Sequence, residues 1–366
     1  MPKKAKALKK TAALQAGVAG LTIVLAGEAG QGVQSIETML VAALKKHGFN
    51  VFATKEYMSR VRGGVNSTEI RVSDTPVRSH VDRIDLLIPL NNEAIPHLEK
   101  RISKSTVILG DSTQVHDSRL INIPFQRIAS EFGNPIFSNT VAAGTVCGLL
   151  GVDENILFSI VMEMFSKKGE DIAQKNADAA KSGYEIGKDL KEEKIAGFNV
   201  KKGADTAGHI MLNGADAVAI GAIAGGCNAC FAYPMTPSTG VFTAMAGYSS
   251  RLPVVAEQVE DEIGVINMAL GAWYAGARAL VSTSGGGFAL MTEGLSLAGM
   301  TETPVVIHLA QRPGPATGLP TRTEQADLNL ALYAGHGFFP RIILAPGSVE
   351  EAFRLSAEAF NLADRF

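Results

Sequence analysis

Cysteine is scarce. Three in 366 residues cannot staple a chain of this size, so a disulfide scaffold is excluded and a reducing compartment, the cytoplasm, is expected. Neither sign of charge dominates: 34 Lys and Arg against 36 Asp and Glu leave −2, which gives no footing for nucleic acid. No apolar run reaches the roughly 20 residues a membrane span needs. The seven histidines show no metal-ligand spacing, and no Ser–His–Asp set can be assembled. What the chain does hold is 46 % apolar residues, few aromatics and 38 glycines against 15 prolines. That composition suits an α/β protein of two or three domains with many tight turns.

The amino terminus superficially resembles a signal peptide, with five lysines in Met1–Lys10 and a largely apolar stretch from Gly17 to Gly27. Leu21-Thr22-Ile23-Val24-Leu25 running into Gly27-Glu28-Ala29-Gly30-Gln31-Gly32 reads better as a buried strand feeding a glycine turn. Residues 33–47 then show helical spacing and close on Gly48. A glycine turn at a helix start suits a phosphate, but G-x-x-G-x-G is neither the dinucleotide fingerprint nor a P-loop, so a purely structural turn stays open. Arg60 and Arg62 stand beside Gly63 and Gly64, where they would hold an anion or form a solvated turn before the strand that follows. Strands are expected at 85–90 and 106–109, and helices at 92–102, 140–150 and 154–166. From 167 onward Lys, Asp, Glu and Ala dominate, which reads as a surface helix. The first domain thus covers 18–190 and a linker 190–210, leaving 211–366 as the second.

The second domain turns on Ala232-Tyr233-Pro234-Met235-Thr236-Pro237-Ser238-Thr239. Its two prolines fix φ and remove two donors, so helix and central strand both stop there. The stiff connection left behind carries three hydroxyls at the end of an α/β unit, where ligands gather in open sheets. A strand is expected at 253–257, and an acidic segment then leads into a helix. Glu260 and Asp261 there are explained by the helix dipole. Glu262 is different, because Val265, Ile266, Ala269 and Leu270 place it on the apolar face of a helix that reads as buried all round. Desolvation on that face disfavours the charged form, which marks either a functional carboxylate or a satisfied helix-start acid. Further strands are expected at 279–284, ending in Thr283-Ser284-Gly285-Gly286-Gly287, and buried at 304–309. The latter delivers Arg312 to a carboxyl edge ahead of a Gly/Pro loop, suited to a carboxylate or simply solvated. Cys227 and Cys230 have redox or metal spacing, but Cys147 lies in the other domain, and two packed thiols are the simpler reading.

These residues together resemble the α subunit of 2-oxoacid:ferredoxin oxidoreductases, in the form with the γ domain fused at its amino terminus. The resemblance rests on Gly27–Gly32 and Arg62-Gly63-Gly64, then on Tyr233-Pro234-Met235-Thr236-Pro237, 262–276, Thr283-Ser284-Gly285 and 312–321. It implies a γ-type α/β domain followed by the pyrimidine-binding domain of a thiamine diphosphate enzyme, with a mostly parallel sheet. It implies further that Glu262, nine residues before Gly271, contacts the aminopyrimidine ring. Pro234 and Arg312 would line the cofactor site, and Thr236 and Arg312 would hold the 2-oxoacid. Gly27, Gly30, Gly32 and Arg62 become candidate coenzyme A contacts. Met235 replaces the family's isoleucine, a nearly volume-conserving change.

Nothing here resembles the Gly-Asp-Gly…Asn element that holds Mg2+ and the diphosphate, and no cluster cysteines are present. The resemblance assigns these, with the [4Fe–4S] clusters, to a β subunit, so the chain is expected to be inactive alone. Residues 361–366 read as a helix stopping just before a further strand would be expected, which suggests a shortened subunit. The expected activity is conversion of a 2-oxoacid, 2-oxoglutarate favoured, and coenzyme A to acyl-CoA and CO2 with reduction of ferredoxin. A non-catalytic assembly subunit and a nucleotide-dependent oxidoreductase are the competing readings.

Overall fold

The computed structural model describes residues 20–58, 63–203, 206 and 208–366. It divides into two compact units, Met1–His209 and Ile210–Phe366.

In the first unit the apolar run at 21–25 has no polar face to offer water, and it becomes strand β1 (Leu21–Glu28), buried over its first seven residues. The strand runs past the apolar stretch, so Gly27 lies within it opposite Asn66, not in the turn that follows. Helix α1 (Val33–His47) closes on Gly48 at φ 108, a conformation that suits glycine. The remaining elements are β2 (Asn50–Glu56), β3 (Val65–Ser73), β4 (Leu86–Pro89), α2 (Ala94–Leu98), β5 (Val107–Gly110), β6 (Leu120–Asn122), α3 (Phe125–Glu131), α4 (Ser138–Leu150), α5 (Glu154–Phe165) and α6 (Glu170–Glu192). The helix expected over 92–102 is the short α2, tightened into a 3-10 turn that carries the Ile102 N–H onto Glu99 O. Sheet order is β2-β3-β1-β4-β5-β6, with β3 antiparallel to both β1 and β2 and the other pairs parallel.

Small residues set how α4 and α6 pack. Gly144 and Gly148 face the carbonyls of Ala180 and Tyr184, while Gly183 and Gly187 face those of Val141 and Thr145. A Cβ at any of the four would stand within 2.2 Å of a carbonyl oxygen, so the two backbones touch. Helix α6, which reads as a surface element, therefore buries an Ala/Gly face and turns its charges outward. The segment after it carries no regular structure, yet Ala196 and Phe198 are buried in the first core and Gly203 N–H reaches Gly48 O. Those residues pack back on the unit and do not behave as a free linker.

The second unit alternates helix and strand: α7 (Gly214–Ala224), β7 (Ala229–Ala232), α8 (Thr239–Tyr248), β8 (Val255–Gln258), α9 (Glu262–Tyr274), β9 (Ala279–Ser284), α10 (Gly285–Leu290), α11 (Thr292–Thr301), β10 (Val306–Ala310), α12 (Leu328–Tyr333) and α13 (Val349–Arg365). The strands pair in parallel in the order β10-β9-β7-β8. The strand read as buried at 304–309 is the half-buried edge strand β10, since its apolar run meets a neighbour on one side only. Helix α9 is not buried all round. Glu262, Val265, Ile266, Ala269, Leu270 and Trp273 face the core, while Ile263, Met268 and Tyr274 are exposed, because the sheet covers a single face. Trp273 donates to Ala279 O at 2.8 Å and stacks on Phe360 of α13, 6.2 Å between centroids, which ties the last helix into this core.

Candidate active site

Parallel strands present all their carboxyl ends at one edge, and each strand of the second sheet delivers part of the candidate site there. The loop after β7 holds Pro234 and Thr236; β8 leads to Glu262 at the start of α9; β9 ends in Ser284 and the glycines of α10; β10 is followed by Arg312. The Pro-rich loop is a tight turn, tied by Ser238 N–H and Oγ to Met235 O at 2.9 and 2.6 Å. Its Thr236–Pro237 peptide is cis. Of the three hydroxyls there, Ser238's is thus structural. Pro234 is exposed, and Thr236 is half-buried with its hydroxyl unbonded among the described residues. The Thr236 carbonyl accepts Arg312 Nη1 at 2.7 Å, which joins the β7 and β10 ends. Asp261 caps α9 through Gly264 N–H at 2.7 Å, so Asp261 is the helix-start acid and Glu262 is released from that task.

Three successive glycines after β9 each receive a different neighbour. A Cβ on Gly285 would meet the Asp327 carboxylate at 2.4 Å, one on Gly286 the Ala316 carbonyl at 3.3 Å, and one on Gly287 Thr283 Oγ1 at 2.2 Å and Glu262 Oε1 at 2.9 Å. The absence of side chains lets two carboxylates from distant parts of the chain close on one turn. Asp327 is held in turn by its N–H on Gln311 Oε1 at 2.9 Å, beside Arg312. Thr236, Arg312, Asp327, the glycine turn and Glu262 thereby form one succession of neighbours.

The electrostatics of this edge are incomplete within the chain. Glu262 Oε1, Ser284 Oγ, Arg312 Nε and Asp327 Oδ2 are buried and lack hydrogen-bond partners, four of seven such side-chain atoms among the described residues. Buried polar atoms are nearly always satisfied, and leaving one unpaired costs about 1–3 kcal/mol. Four at one sheet edge make a set of donors and acceptors that a ligand could complete. Desolvation, then the charge of Glu324, pushes the Asp327 carboxyl above its usual range, while Arg312 opposes the shift. Behind the Pro loop, burial lowers His308 to about 4. Ser282 Oγ lies 3.1 Å from His308 Nδ1 and 3.3 Å from Ser238 O. Both contacts are met when neutral His308 donates to Ser282 and Ser282 donates to Ser238 O.

The sequence assigns no role to Asp327, and names Ser284 only as part of the Thr283-Ser284-Gly285 motif. Ser284 reads there as an ordinary residue before glycines, and Asp327 lies beyond a Gly/Pro excursion. Cys227 and Cys230 are buried free thiols, Cys227 Sγ donating to Ala229 O at 3.2 Å. Burial raises Cys227 to about 11 and Cys230 further, which leaves both protonated and unreactive. The described residues hold no group of three or more His, Cys, Asp and Glu side chains able to bind a metal ion. None of the described helices is long and apolar enough to cross a membrane.

In the first unit Gly30 (φ 94) and Gly32 (φ 82) shape the turn before α1, whose start has no side-chain cap and no acidic residue in its first turn. Gly27 is a packing glycine: a Cβ there would meet Gln31 Oε1 at 2.7 Å and Leu90 at 2.9 Å. Arg60 and Arg62, the other candidate anion contacts, lie outside the described residues. An aminopyrimidine ring fits the second unit's edge by its donor set, since Glu262 offers a buried acceptor and Ser284 a buried hydroxyl, neither of them used internally.

Comparison with known proteins agrees with both units. Residues 220–366 match the family model described as pyruvate flavodoxin/ferredoxin oxidoreductase, thiamine diphosphate-binding, and residues 22–186 that described as pyruvate ferredoxin/flavodoxin oxidoreductase. The chain is 32 % identical over 406 positions to a 2-oxoacid:ferredoxin oxidoreductase subunit alpha of a Sulfolobus species, with 94 % of this chain and 63 % of that protein covered. Over 156 residues it is 45 % identical to the 2-oxoglutarate synthase subunit KorA of Archaeoglobus fulgidus, covering 43 % of this chain and 45 % of the other. Its fold is similar to that of a 2-oxoglutarate:ferredoxin oxidoreductase from Magnetococcus marinus solved with 2-oxoglutarate, coenzyme A and succinyl-CoA bound. There the TM-score is 0.88 at 34 % identity, over 95 % of this chain and 62 % of that one. The chain thus spans 63 % of the length of the Sulfolobus relative. With the two family domains following one another along it, the chain belongs to the pyruvate ferredoxin/flavodoxin oxidoreductase family.

Proposed function

We propose that this chain is the γ-fused α subunit of a cytoplasmic 2-oxoacid:ferredoxin oxidoreductase. With a β subunit it converts a 2-oxoacid, coenzyme A and two oxidised ferredoxins to acyl-CoA, CO2, a proton and two reduced ferredoxins. The observation that carries this reading is the set of four unpartnered buried polar atoms at one sheet edge, an acceptor-and-donor set that this chain leaves half complete. Exposed Ile263 and Tyr274, which share one side of α9, also fit a face that another chain covers. 2-Oxoglutarate is the favoured substrate, in keeping with the KorA relative and the 2-oxoglutarate-bound neighbour.

Thiamine diphosphate, when bound, supplies the carbon nucleophile and electron sink for decarboxylation. Glu262 would hydrogen-bond the aminopyrimidine ring through Oε1 and exchange a proton with the ring there. Pro234 stiffens the loop that carries Thr236. Arg312, anchored on the Thr236 carbonyl through Nη1, keeps Nε for the substrate carboxylate, and the Thr236 hydroxyl would meet the 2-oxo end. Gly30 and Gly32, with Arg62, would offer backbone N–H groups and charge to the phosphates of coenzyme A, Gly27 serving as the packed base of that turn. Mg2+ with the diphosphate, and the [4Fe–4S] clusters that pass electrons to ferredoxin, belong on the β subunit in this scheme.

The test is the purified complex with its β subunit, supplied with thiamine diphosphate, Mg2+, coenzyme A and 2-oxoglutarate. Reduction of ferredoxin or a viologen dye that needs all of them is expected. A complex that assembles yet reduces no acceptor with any 2-oxoacid would refute the enzymatic reading and favour an assembly role.

A further inference from the structure

Asp327 has no task in the scheme above, yet it is built into the same edge. Its carboxylate sits against Gly285, where no side chain other than hydrogen fits, and its N–H is fastened to Gln311 Oε1. Oδ2 is buried and receives no hydrogen bond. The charged groups around it are few. Arg312 faces it from the end of β10, Glu324 and Arg322 lie on its own loop, and Glu262 stands across the glycine turn; the start of α10 contributes only backbone. Arg312 and Asp327 do not form an ion pair within 4.0 Å, so the arginine's Nε stays open to another anion.

This geometry sets a conflict. A 2-oxoacid bound to Arg312 brings a second negative charge beside a half-buried carboxylate whose covered Oδ2 already lacks a donor. Two carboxylates sharing one partly desolvated site do not both stay ionised; one of them takes a proton. The bound ligand is held ionised by Arg312, which leaves the proton to Asp327. Protonation also turns an unsatisfied acceptor into a hydroxyl donor, which removes the unpaired charge.

Resting on the 2-oxoacid reading of the site, we infer that Asp327 is its proton-accepting group, taking up one proton when the substrate carboxylate settles on Arg312. The step is a simple balance: solvent proton plus Asp327 carboxylate gives the carboxylic acid on binding, and the proton returns when the anion leaves as CO2. Burial and Glu324 already raise the Asp327 carboxyl before any ligand arrives, which places it within reach of such uptake. Binding should therefore weaken up to tenfold for each pH unit between the point where the free carboxyl ionises and the higher point where the liganded carboxyl does, and level off above it.

The test uses the complex with its β subunit and N-oxalylglycine, an anionic 2-oxoglutarate analogue that cannot decarboxylate. Isothermal titration in two buffers of different ionisation heat, between pH 5 and 8, reads the protons bound per ligand. Wild type should take up as much as one proton and bind more tightly as pH falls; Asp327→Asn should take up none and show a flat affinity. Glu324→Gln, outside the site, should move the uptake window to lower pH without changing thiamine diphosphate affinity, which keeps the inference testable if Asp327→Asn folds poorly. Equal uptake in wild type and Asp327→Asn, or no uptake in wild type, would overturn it. Failure of the analogue to bind to wild type at any pH would instead overturn the 2-oxoacid reading, and this inference with it.

Discussion

Replacing Glu262 by Gln separates a functional carboxylate from a structural one. The side chain is 4 % exposed, makes no hydrogen bond among the described residues, and carries a buried, unpartnered Oε1. Capping of α9 does not depend on it, because Asp261 performs that task. Gln keeps the shape, so the fit against Gly287 and Thr283 survives while the carboxyl group and its proton chemistry are removed. An unsatisfied buried group costs about 1–3 kcal/mol, more when charged. Even if the amide recovers only the low end, the cofactor-free chain gains ~1 kcal/mol, a rise in melting temperature of about 2–4 °C for a unit of this size. Activity should move the other way. A positioned acid–base group contributes about 10²–10⁴-fold, so 2-oxoacid-dependent dye reduction should fall by at least ~100-fold. The assay is a thermal melt of the chain without cofactor beside turnover of the reconstituted complex. A melting temperature lowered by several degrees with turnover intact would show that Glu262 is a structural counter-charge, and the reasoning would fail.

Other expectations follow from the same edge. Arg312→Ala should raise KM for the 2-oxoacid by ~10–100-fold, the worth of a charge-assisted hydrogen bond of about 1.5–3 kcal/mol; an unaltered KM in steady-state assays would exclude it as the carboxylate clamp. Gly287→Ala puts a methyl 2.2 Å from Thr283 Oγ1 and 2.9 Å from Glu262 Oε1. It should destabilise by roughly 1–3 kcal/mol in denaturant melts and displace Glu262, despite the ~1 kcal/mol that alanine offers a helix. For His308, the folded value near 4 lies below the ordinary 6.5. The unfolded chain therefore binds the extra proton first, so stability is greatest above pH 6.5, declines as pH falls and levels off near 4. His308→Asn should flatten that part of the stability–pH curve, and equal slopes in both proteins would contradict the assignment.

Much of this site is legible in the residues because each part announces itself locally. Two prolines stop the chain at 234–237, an acid starts an otherwise apolar helix at 262, and a lone arginine ends a strand at 312. What stays hidden depends on chain segments meeting from afar. Asp327 follows Arg312 by a Gly/Pro excursion, and nothing local says that the excursion returns to Gly285. Ser284 stands in the Thr283-Ser284-Gly285 motif, but nothing local shows that its hydroxyl is buried without a partner. The face of α6 was obscured by its charges, since alanine and glycine bury little area and lack the signal of large apolar residues, although they allow α4 to touch it. An apolar run looks the same at an edge as at a centre, so β10 reads as buried from its sequence although it stands at the edge of the sheet. The exposed side of α9 follows from a sheet that covers one face only, which periodicity cannot report for a helix apolar all round.

The central claim is that this chain forms one half of a thiamine diphosphate site. The most direct measurement is binding of thiamine diphosphate with Mg2+ to the complex of this chain with its β subunit, compared with the same complex carrying Glu262→Gln and with each chain alone. The account expects one tight site per α–β pair, at least tenfold weaker binding with Glu262→Gln, and no tight site on this chain alone. Tight binding to this chain by itself, or an affinity of the complex indifferent to Glu262, would contradict it.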